Sequence, residues 1–532
     1  MSVDITVAYL VNVPLENDYK HTFYFNSRQE QESYFLSKVD NDNNYAIHQL
    51  FSYVRKDDVM RIPVPYDEAI KYNYVMYKNS AYSSKWFYAF ITEYTWKRDD
   101  VTEIKLETDV FQTWLLDYTV KSSFIEREHV DVDLVGENTV PENLEMGDHI
   151  CKNYTQDDKL RLLYLVVGVT RDPDGNNIKG GNYNGIYSGV KYYALPLYSV
   201  NYEAINDFLA HYDSEGSGES IQCLFIAPKF LINDTAEDKS VNYKSVTEFY
   251  TNYDVGYSEP TVKNKKLLTF PYRYLLATNN NGGSAVYKYE LFEKAVDSNG
   301  DYTFNVAFRV AGALTPGCSI RMNPIKYNGV SEMEFNNEEG LNLGKYPICN
   351  WTSDVYTNWL TQNSVNIGLN IASGLGQIIG GTAVAVASGG LGMAVGGSQI
   401  IGGVGAITNQ LTQIHQMSFT PPQSKGNVNC GDVITADTQN TFHFYDMCIK
   451  DEYIKIIDEY FTMFGYKTNR VKVPFKNHRE RFWYTKTIDV NITGEIPIAD
   501  LKKLKEAYDR GITFWKDKTN FKDYSIDNNI LN

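Results

Sequence analysis

The sequence predicts a mainly β protein of the α+β class, interrupted by a long apolar, Gly-rich hairpin loop. Two observations predict the β content. Aromatic residues make up 14% of the 532 residues, with 42 Tyr, and many short apolar runs end at turn-forming residues. A third observation predicts the loop: no Asp, Glu, Lys or Arg occurs from Val355 to Ser424, although 22% of the chain is charged. We call Val355–Ser424 the uncharged segment.

The uncharged segment contains two apolar halves, Ile367–Ala387 and Leu391–Ile407. A helix of about twenty residues rises about 30 Å, the thickness of a bilayer's hydrocarbon core. However, each Gly costs a helix roughly 1 kcal/mol relative to Ala, so one isolated copy would insert weakly. The composition therefore suits a segment that stays buried or self-associated and enters a membrane when several copies act together. A Gly-rich hairpin buried in an ordinary core explains the composition equally well.

The residues that we expect to act in a membrane form two groups. Apolar contact would come from Ile371, Leu375, Ile378, Ile379, Val384, Val386, Leu391, Met393, Val395, Ile400, Ile401 and Val404. Close helix approach would come from four glycines at small-xxx-small spacing. These are Gly376, Gly380, Gly392 and Gly396.

Charge and cysteine usage narrow the function classes. The formal net charge is −16, which argues against tight sequence-specific binding of DNA or RNA, since that needs a basic face. An acidic wall could still line a pore through which DNA passes. The six cysteines are scattered without a CxxC pair, which indicates reduced packing residues. The N-terminus lacks the pattern of a signal peptide, so we expect none.

Residues 1–130 predict an N-terminal β domain. Strands are expected at Tyr72–Tyr77, Trp86–Tyr94 and Thr102–Thr108, forming an antiparallel meander. Asp109 is suited to the N-terminus of a short helix. The strand Phe124–His129 closes the domain.

Residues 131–354 predict a β-rich middle region. Leu160–Val169 has the pattern of a buried strand, and Asn201–Asp213 that of a helix. Strands at Val286–Phe292 and Tyr302–Ala311 are expected to be joined by a turn at Asp297–Asp301.

Residues 425–532, after the membrane-active loop at 355–424, predict a C-terminal α/β segment. Apolar residues spaced along Asp451–Phe464 indicate a helix, with Gly465 as its C-cap. A second helix is expected to open at Pro497 and to stop before Gly511.

We find no catalytic residues, metal site or cofactor motif. His129 follows Glu126-Arg127-Glu128, but we expect an ion-paired surface there and not an acid/base cluster. Gly340–Lys345 is one residue short of a phosphate loop and lacks the following Ser or Thr, so we reject it. Asp297–Asp301 lacks the Glu of a calcium loop and predicts a plain hairpin turn.

Six segments keep the order of those in one known family, and together they span most of the chain. The segments are Leu15–Lys20, Thr108–Trp114, Phe124–His129, Pro347–Asp354, Asp458–Tyr466 and Gly511–Trp515. In these segments the chain resembles the tail-knob (distal tail tube) proteins of phi29-like short-tailed phages. The order of the motifs, with an apolar hairpin between two of them, is more specific than any single motif.

The resemblance implies a structural protein of the virion tail, made in the host cytoplasm. It implies a ring- or tube-forming homohexamer built largely of β-barrel tube domains, which the C-terminal segment completes. The apolar hairpins would plug the lumen and leave it on infection. They would then help to penetrate the host cytoplasmic membrane for DNA ejection. The expected partners are upstream tail or collar proteins, the host cytoplasmic membrane and genomic DNA passing non-specifically through the lumen.

A second hypothesis is a receptor-binding or cell-wall-degrading tail protein. The Tyr and Asn residues of Asn176–Gly189 could stack on surface sugars, although an exposed loop without a ligand explains them more simply. Zymography and glycan binding would separate this hypothesis from the first.

Overall fold

A computed structural model gives the fold and describes most of the chain outside the uncharged segment. The described residues are 6–39, 47–48, 52–54, 58–169, 181–183, 186–188, 191–197, 203–214, 220–232, 240–241, 247–253, 262–296, 302–314, 318–327, 340–346, 348–351, 426–429 and 441–531. They belong to two compact units. The first unit comprises Met1–Gly147, Pro260–Leu267 and Asp451–Asn532, and the second comprises Asp148–Glu259 and Leu268–Lys450. The chain therefore passes from one unit to the other four times.

The strands and helices follow one another along both units. The first passage through the first unit contains β1 (Val7–Leu10), β2 (His21–Phe23), α1 (Arg28–Leu36), β3 (Ile47–His48), β4 (Ser52–Val54), β5 (Val59–Ile62), α2 (Tyr66–Ala69), β6 (Tyr74–Asn79), β7 (Lys85–Arg98), β8 (Val101–Thr108), α3 (Val110–Trp114), β9 (Tyr118–Val120) and β10 (Ser123–Glu128). The second unit contains β11 (His149–Gln156), β12 (Leu163–Val169), β13 (Gly181–Tyr183), β14 (Ile186–Ser188), β15 (Lys191–Pro196), α4 (Glu203–Ser214), β16 (Ile221–Pro228), β17 (Ser240–Val241), β18 (Thr247–Tyr253), β19 (Arg273–Thr278), β20 (Ser284–Tyr287), β21 (Glu293–Val296), β22 (Tyr302–Ala313), β23 (Ser319–Pro324), β24 (Leu341–Asn342), β25 (Ile348–Trp351), β26 (Gly426–Asn429) and β27 (His443–Ile449). The last passage contains α5 (Asp451–Phe464), β28 (Tyr466–Lys472), β29 (Phe482–Ile488), β30 (Ile492–Gly494), α6 (Ile498–Arg510) and β31 (Ile512–Trp515).

The first unit is built on two main sheets. A seven-stranded sheet has the order β3-β1-β6-β7-β8-β5-β4, and its centre is the predicted meander β6-β7-β8. Asp109 caps α3 as predicted, because its Oδ1 accepts the backbone N–H groups of Phe111 and Gln112 at 3.1 and 3.0 Å. These contacts fix the turn from β8 into the helix.

The second sheet of the first unit joins the two ends of the chain. Its order is β2-β31-β29-β10-β28, so the N-terminal strands β2 and β10 are interleaved with three C-terminal strands. β2 pairs with β31 in parallel, with Thr22 opposite Phe514, while β10 lies between β28 and β29 in antiparallel register. Buried aromatic rings from both ends of the sequence meet beside this sheet. The ring centroid of Phe514 lies 5.7 Å from that of Phe111 and 5.5 Å from that of Trp483. The N-terminal and C-terminal strands therefore share one core.

Helix α5 confirms the helix predicted at Asp451–Phe464. Its buried residues Ile454, Ile457 and Phe461 follow the helical period. Gly465 ends the helix with φ +64°, and its N–H donates to the Phe461 carbonyl at 2.8 Å. A Cβ at this position would lie 2.1 Å from the Glu128 carbonyl oxygen, so the turn requires glycine.

The described residues of the second unit form four sheets. Their orders are β11-β27-β19-β20, β17-β15-β12-β16-β25-β26, β13-β14 and β18-β22-β23-β24, with β21 pairing with β22. All seven residues of β12 are buried, which confirms the buried strand predicted at Leu160–Val169.

One predicted strand is wrong in position. Val286–Phe292 covers the end of β20 and a 3₁₀ turn at Tyr289–Leu291, while β21 is the strand that pairs with β22. Val296 lies opposite Tyr302 across the predicted hairpin turn. The error arose because Tyr289 and Phe292 are buried in the turn, where their apolar character imitates a strand.

The β-barrel that the resemblance implied is not confirmed. Closure requires the two outer strands of a sheet to pair with each other. In the part of the chain that the structure describes, every sheet instead keeps two unjoined ends.

A buried ion cluster holds the short middle passage, 260–267, in the first unit. The Glu142 carboxylate pairs with Arg127 on β10 and lies 2.5 Å from Lys266 Nζ. It also accepts the Lys467 backbone N–H at 3.1 Å. Burial lowers the pKa of Lys266, while Glu142 opposes that shift by favouring the charged amine. The carboxylate thus joins stretches that are far apart in the sequence.

The expectation of an ion-paired surface at Glu126–His129 is only partly right. Glu126 pairs with Lys486 at 2.9 Å and is half-buried, but Arg127, Glu128 and His129 are buried. Partners distant in the sequence explain the difference: Glu142 neutralises Arg127, and Lys472 lies 2.5 Å from Glu128.

His129 is held as a neutral ring by two backbone groups. Its Nδ1 accepts the Tyr484 N–H at 2.7 Å, so the proton lies on Nε2, which donates to the Thr462 carbonyl at 3.0 Å. Burial, together with the nearby Arg479 cation, lowers the pKa of His129 to about 3. A second proton would place a donor against the Tyr484 N–H.

We expect Glu142→Gln to destabilise the protein by about 3–5 kcal/mol, because it leaves the buried cations of Arg127 and Lys266 without a countercharge. Urea denaturation followed by tryptophan fluorescence measures the change. Glu126→Gln is the matched control, since its half-buried pair with Lys486 should contribute at most about 1 kcal/mol. Equal losses in both variants would contradict the role of the cluster.

We expect His129 to make the free energy of unfolding fall as the pH falls from about 6.5 towards 3. In this range the imidazole binds a proton in the unfolded chain but not in the folded protein. Between pH 7 and 4.5, wild type should lose roughly 2 kcal/mol more stability than His129→Gln, which can keep both backbone hydrogen bonds without titrating. Urea denaturation at a series of pH values measures both curves, and parallel curves would refute the assignment.

Candidate functional site: the strand pair that carries the uncharged segment

The two chain ends that flank the uncharged segment meet in one strand pair. β25 runs up to Trp351, and β26 begins at Gly426. They pair antiparallel with Trp351 opposite Gly426, Asn350 opposite Asn427 and Cys349 opposite Val428. Everything between Trp351 and Gly426 therefore leaves the sheet and returns to it at one place. We call β25 and β26 the root.

The root belongs to the sheet of the second unit that contains the fully buried strand β12. β25 pairs with β16, with Leu224 opposite Cys349, and β16 pairs with the fully buried β12. Helix α4 adds apolar contacts, since Phe208 lies 5.2 Å from Tyr193 of β15. Burial of these apolar side chains stabilises the sheet to which the root belongs.

Two described side chains near the root, a thiol and a phenol, are unreactive. Burial raises the pKa of Cys223, on β16, to about 12, so its thiol stays protonated. Tyr346, two residues before β25, is also buried, and burial raises its pKa well above 10. Neither of these two described groups is an activated nucleophile, and both are suited to packing.

All sixteen residues predicted to act in a membrane lie outside the described residues. They run from Ile371 to Val404, so the structure describes where the chain leaves the sheet and returns but not the segment itself. In the described part of the chain, no helix is both long and apolar enough to cross a bilayer.

The described residues contain no group of three or more His, Cys, Asp or Glu side chains placed to hold a metal ion. Within the rejected phosphate loop, Leu341–Asn342 forms strand β24, which pairs with β23. Of the suggested sugar-contacting loop, the described residues form the small hairpin β13-β14.

Sequence reasoning missed the root. It used Pro347–Asp354 as a motif without assigning a strand to it, and it assigned no structure to 426–429. Four-residue strands give too little periodicity to be read alone. The usable signal was the abrupt change in charge content on both sides of the uncharged segment.

Two family profiles match the chain. The family described as Bacillus phage phi29, Tail knob protein gp9, C-terminal domain matches residues 234–529. The family described as Caudoviral major tail protein N-terminus matches residues 5–119.

Similar proteins match along nearly the whole length. The chain is 27% identical to Tail knob protein gp9 of Bacillus phage B103, over 98% of this chain and 97% of that protein. It is 25% identical to Tail knob protein gp9 of Bacillus phage phi29, over 98% of each. The solved structure of the bacteriophage C1 tail knob protein, gp12, shares the fold with a TM-score of 0.63 at 14% identity, covering 99% of this chain and 100% of that one.

We expect the fold to survive excision of residues 352–425 when Trp351 is joined to Gly426 through Asn-Gly. Directly opposed antiparallel residues can be closed by a two-residue type I′ turn, and Asn-Gly favours that turn. Circular dichroism should be unchanged outside the lost segment, and the melting temperature should stay within a few degrees. As a control, removal of residues 348–429 also takes away the root and should destabilise β16. An insoluble or unfolded excision variant would show instead that the segment is part of the core.

Proposed function

The chain belongs to the family of tail knob proteins of phi29-like phages, and from this premise we propose that six copies form a hollow tube at the tip of the tail. The family predicted from the ordered sequence motifs is confirmed. The protein is accordingly a structural component of the virion tail, not an enzyme. Its neighbours in the tail would be the upstream tail or collar proteins.

The uncharged segments of the six copies plug this tube before infection. Six copies bring twelve Gly-rich apolar halves together, and glycines at small-xxx-small spacing allow their close packing. On infection the segments leave the lumen and associate in the host cytoplasmic membrane, where they open a path for DNA. One copy is too polar and too rich in Gly to insert alone, so assembly is a condition of activity.

The root is the observation that supports this proposal most directly. Because β25 and β26 pair with each other, the segment between them begins and ends at one point of a rigid sheet. A segment attached in this way can change its surroundings while the sheet stays intact. An acidic chain also suits DNA passage, since a wall of like charge resists adhesion of phosphates.

We expect the hexamer to release dye from liposomes, and deletion of Ile367–Ile407 to abolish the release. Substitution Val384→Asp or Ile400→Asp should have the same effect, because each carboxylate costs about 3 kcal/mol at the bilayer centre. Val384→Ala and Ile400→Ala, which add no charge, should retain most of the release. Native mass spectrometry would verify that all variants stay hexameric, and unchanged release by the deletion variant would remove the membrane role.

A further inference from the structure

An apolar row lies uncovered on one face of the five-stranded sheet in the first unit. Phe124 of β10 is the direct cross-strand partner of both Val471 on β28 and Ile488 on β29. Direct partners point to the same face of a sheet, so the three side chains form one row. Val471 is 71% exposed and Ile488 is 54% exposed, while Phe124 is half-buried. Burial of this row needs another surface.

Helix α5 covers the other end of the same face. Alternation along β29 places Tyr484, Lys486 and Ile488 on one side, and the Tyr484 ring lies 5.2 Å from Phe464 of α5. The rings of Phe464 and Tyr484 thus lie at one end of this sheet face, and Val471 and Ile488 lie at the other.

Between these ends lies a basic cavity of about 330 Å³. Its lining includes four cations, Arg127, Lys467, Lys486 and Arg510, against two carboxylates, Glu126 and Glu142. Arg127 is buried against Glu142, and Lys486 is paired with Glu126. Lys467 and Arg510 form no ion pair among the described residues, so the cavity carries a surplus of two positive charges.

We propose that this sheet face, from Phe464 through the basic cavity to Ile488 and Val471, is the surface on which a second copy of the chain docks. Charge complementarity identifies the occupant. The cavity is positive within a chain whose net charge is −16, so another copy is on average an acidic partner for it. Exposed apolar side chains beside the charges supply the area that docking buries.

The contact is heterologous: the basic face meets a different, acidic surface of the next copy. Two basic cavities facing each other across a two-fold axis would repel, which disfavours a self-complementary dimer. Head-to-tail contacts of this kind close into rings when the rotation allows. The inference rests on the proposed six-copy tube and assigns one side of its subunit contact.

Photo-crosslinking tests the assignment in the full chain. Replacement of Val471 by p-benzoylphenylalanine should yield, on irradiation, covalent dimers of this chain in which the probe is joined to an acidic surface of the second copy. Native mass spectrometry measures, in parallel, the number of copies in the wild-type assembly. A six-copy species without crosslinks from position 471 would refute the proposed docking surface but not the proposed tube. A wild-type protein that stays monomeric would overturn both, and the mass alone distinguishes these results.

A pair of variants tests the energetics of the same surface. Val471→Glu/Ile488→Glu places two carboxylates where the acidic partner would dock, and it should raise the dissociation constant of the assembly at least about 100-fold. Val471→Ile/Ile488→Val keeps apolar character and should assemble like wild type. Both positions are exposed, so circular dichroism should show native folding in each variant. Assembly of the Glu variant at wild-type concentration would refute the proposal.

Discussion

The buried carboxylate of Glu142 is the interaction on which the first unit depends. It receives Arg127 from β10, Lys266 from the short passage 260–267 and the backbone of Lys467 on β28. These three partners come from the three separate passages of the chain through the unit. Apolar side chains of the same volume could stabilise the unit equally well. Charges add selectivity, because a wrong arrangement of the passages would bury an ion without its partner.

The second unit follows a different physical principle. Its central strand, β12, is buried along its whole length, and the sheet extends outward from it through β16 to the root. A strand that is buried along its whole length therefore supports, through β16, the strand from which the chain enters the uncharged segment. A root on a polar, loosely packed edge would transmit any displacement of the segment into the fold. Because β25 pairs with β16, and β16 with the fully buried β12, the fold of the unit need not depend on the position of the uncharged segment.

The sequence predicted elements whose period and boundaries are local. Ile454, Ile457 and Phe461 revealed α5, Asp109 revealed the start of α3, and the apolar run up to Val169 revealed β12. Predictions failed where distant partners decide the environment. The charged neighbours of His129 predicted an exposed side chain. Its ring is instead buried, and it is hydrogen-bonded to Tyr484 and Thr462, more than 300 residues away in the sequence. The root was not predicted for the same reason: β25 and β26 pair with each other although about 75 residues separate them in the sequence. The sixteen residues of the candidate site stay predictions from composition.

The interleaving of the chain ends also sets an order of events during synthesis. β31 lies between β2 and β29, yet it consists of Ile512–Trp515, which leave the ribosome almost 500 residues after β2. The residues of the second unit all emerge earlier, together with the uncharged segment. At translation rates of about 5–20 residues per second, the N-terminal strands wait tens of seconds for their C-terminal neighbours. The sheet that carries β10, β28 and β29 is thus completed only after the whole second unit has been synthesised, so a nascent chain that ends within that unit lacks this sheet.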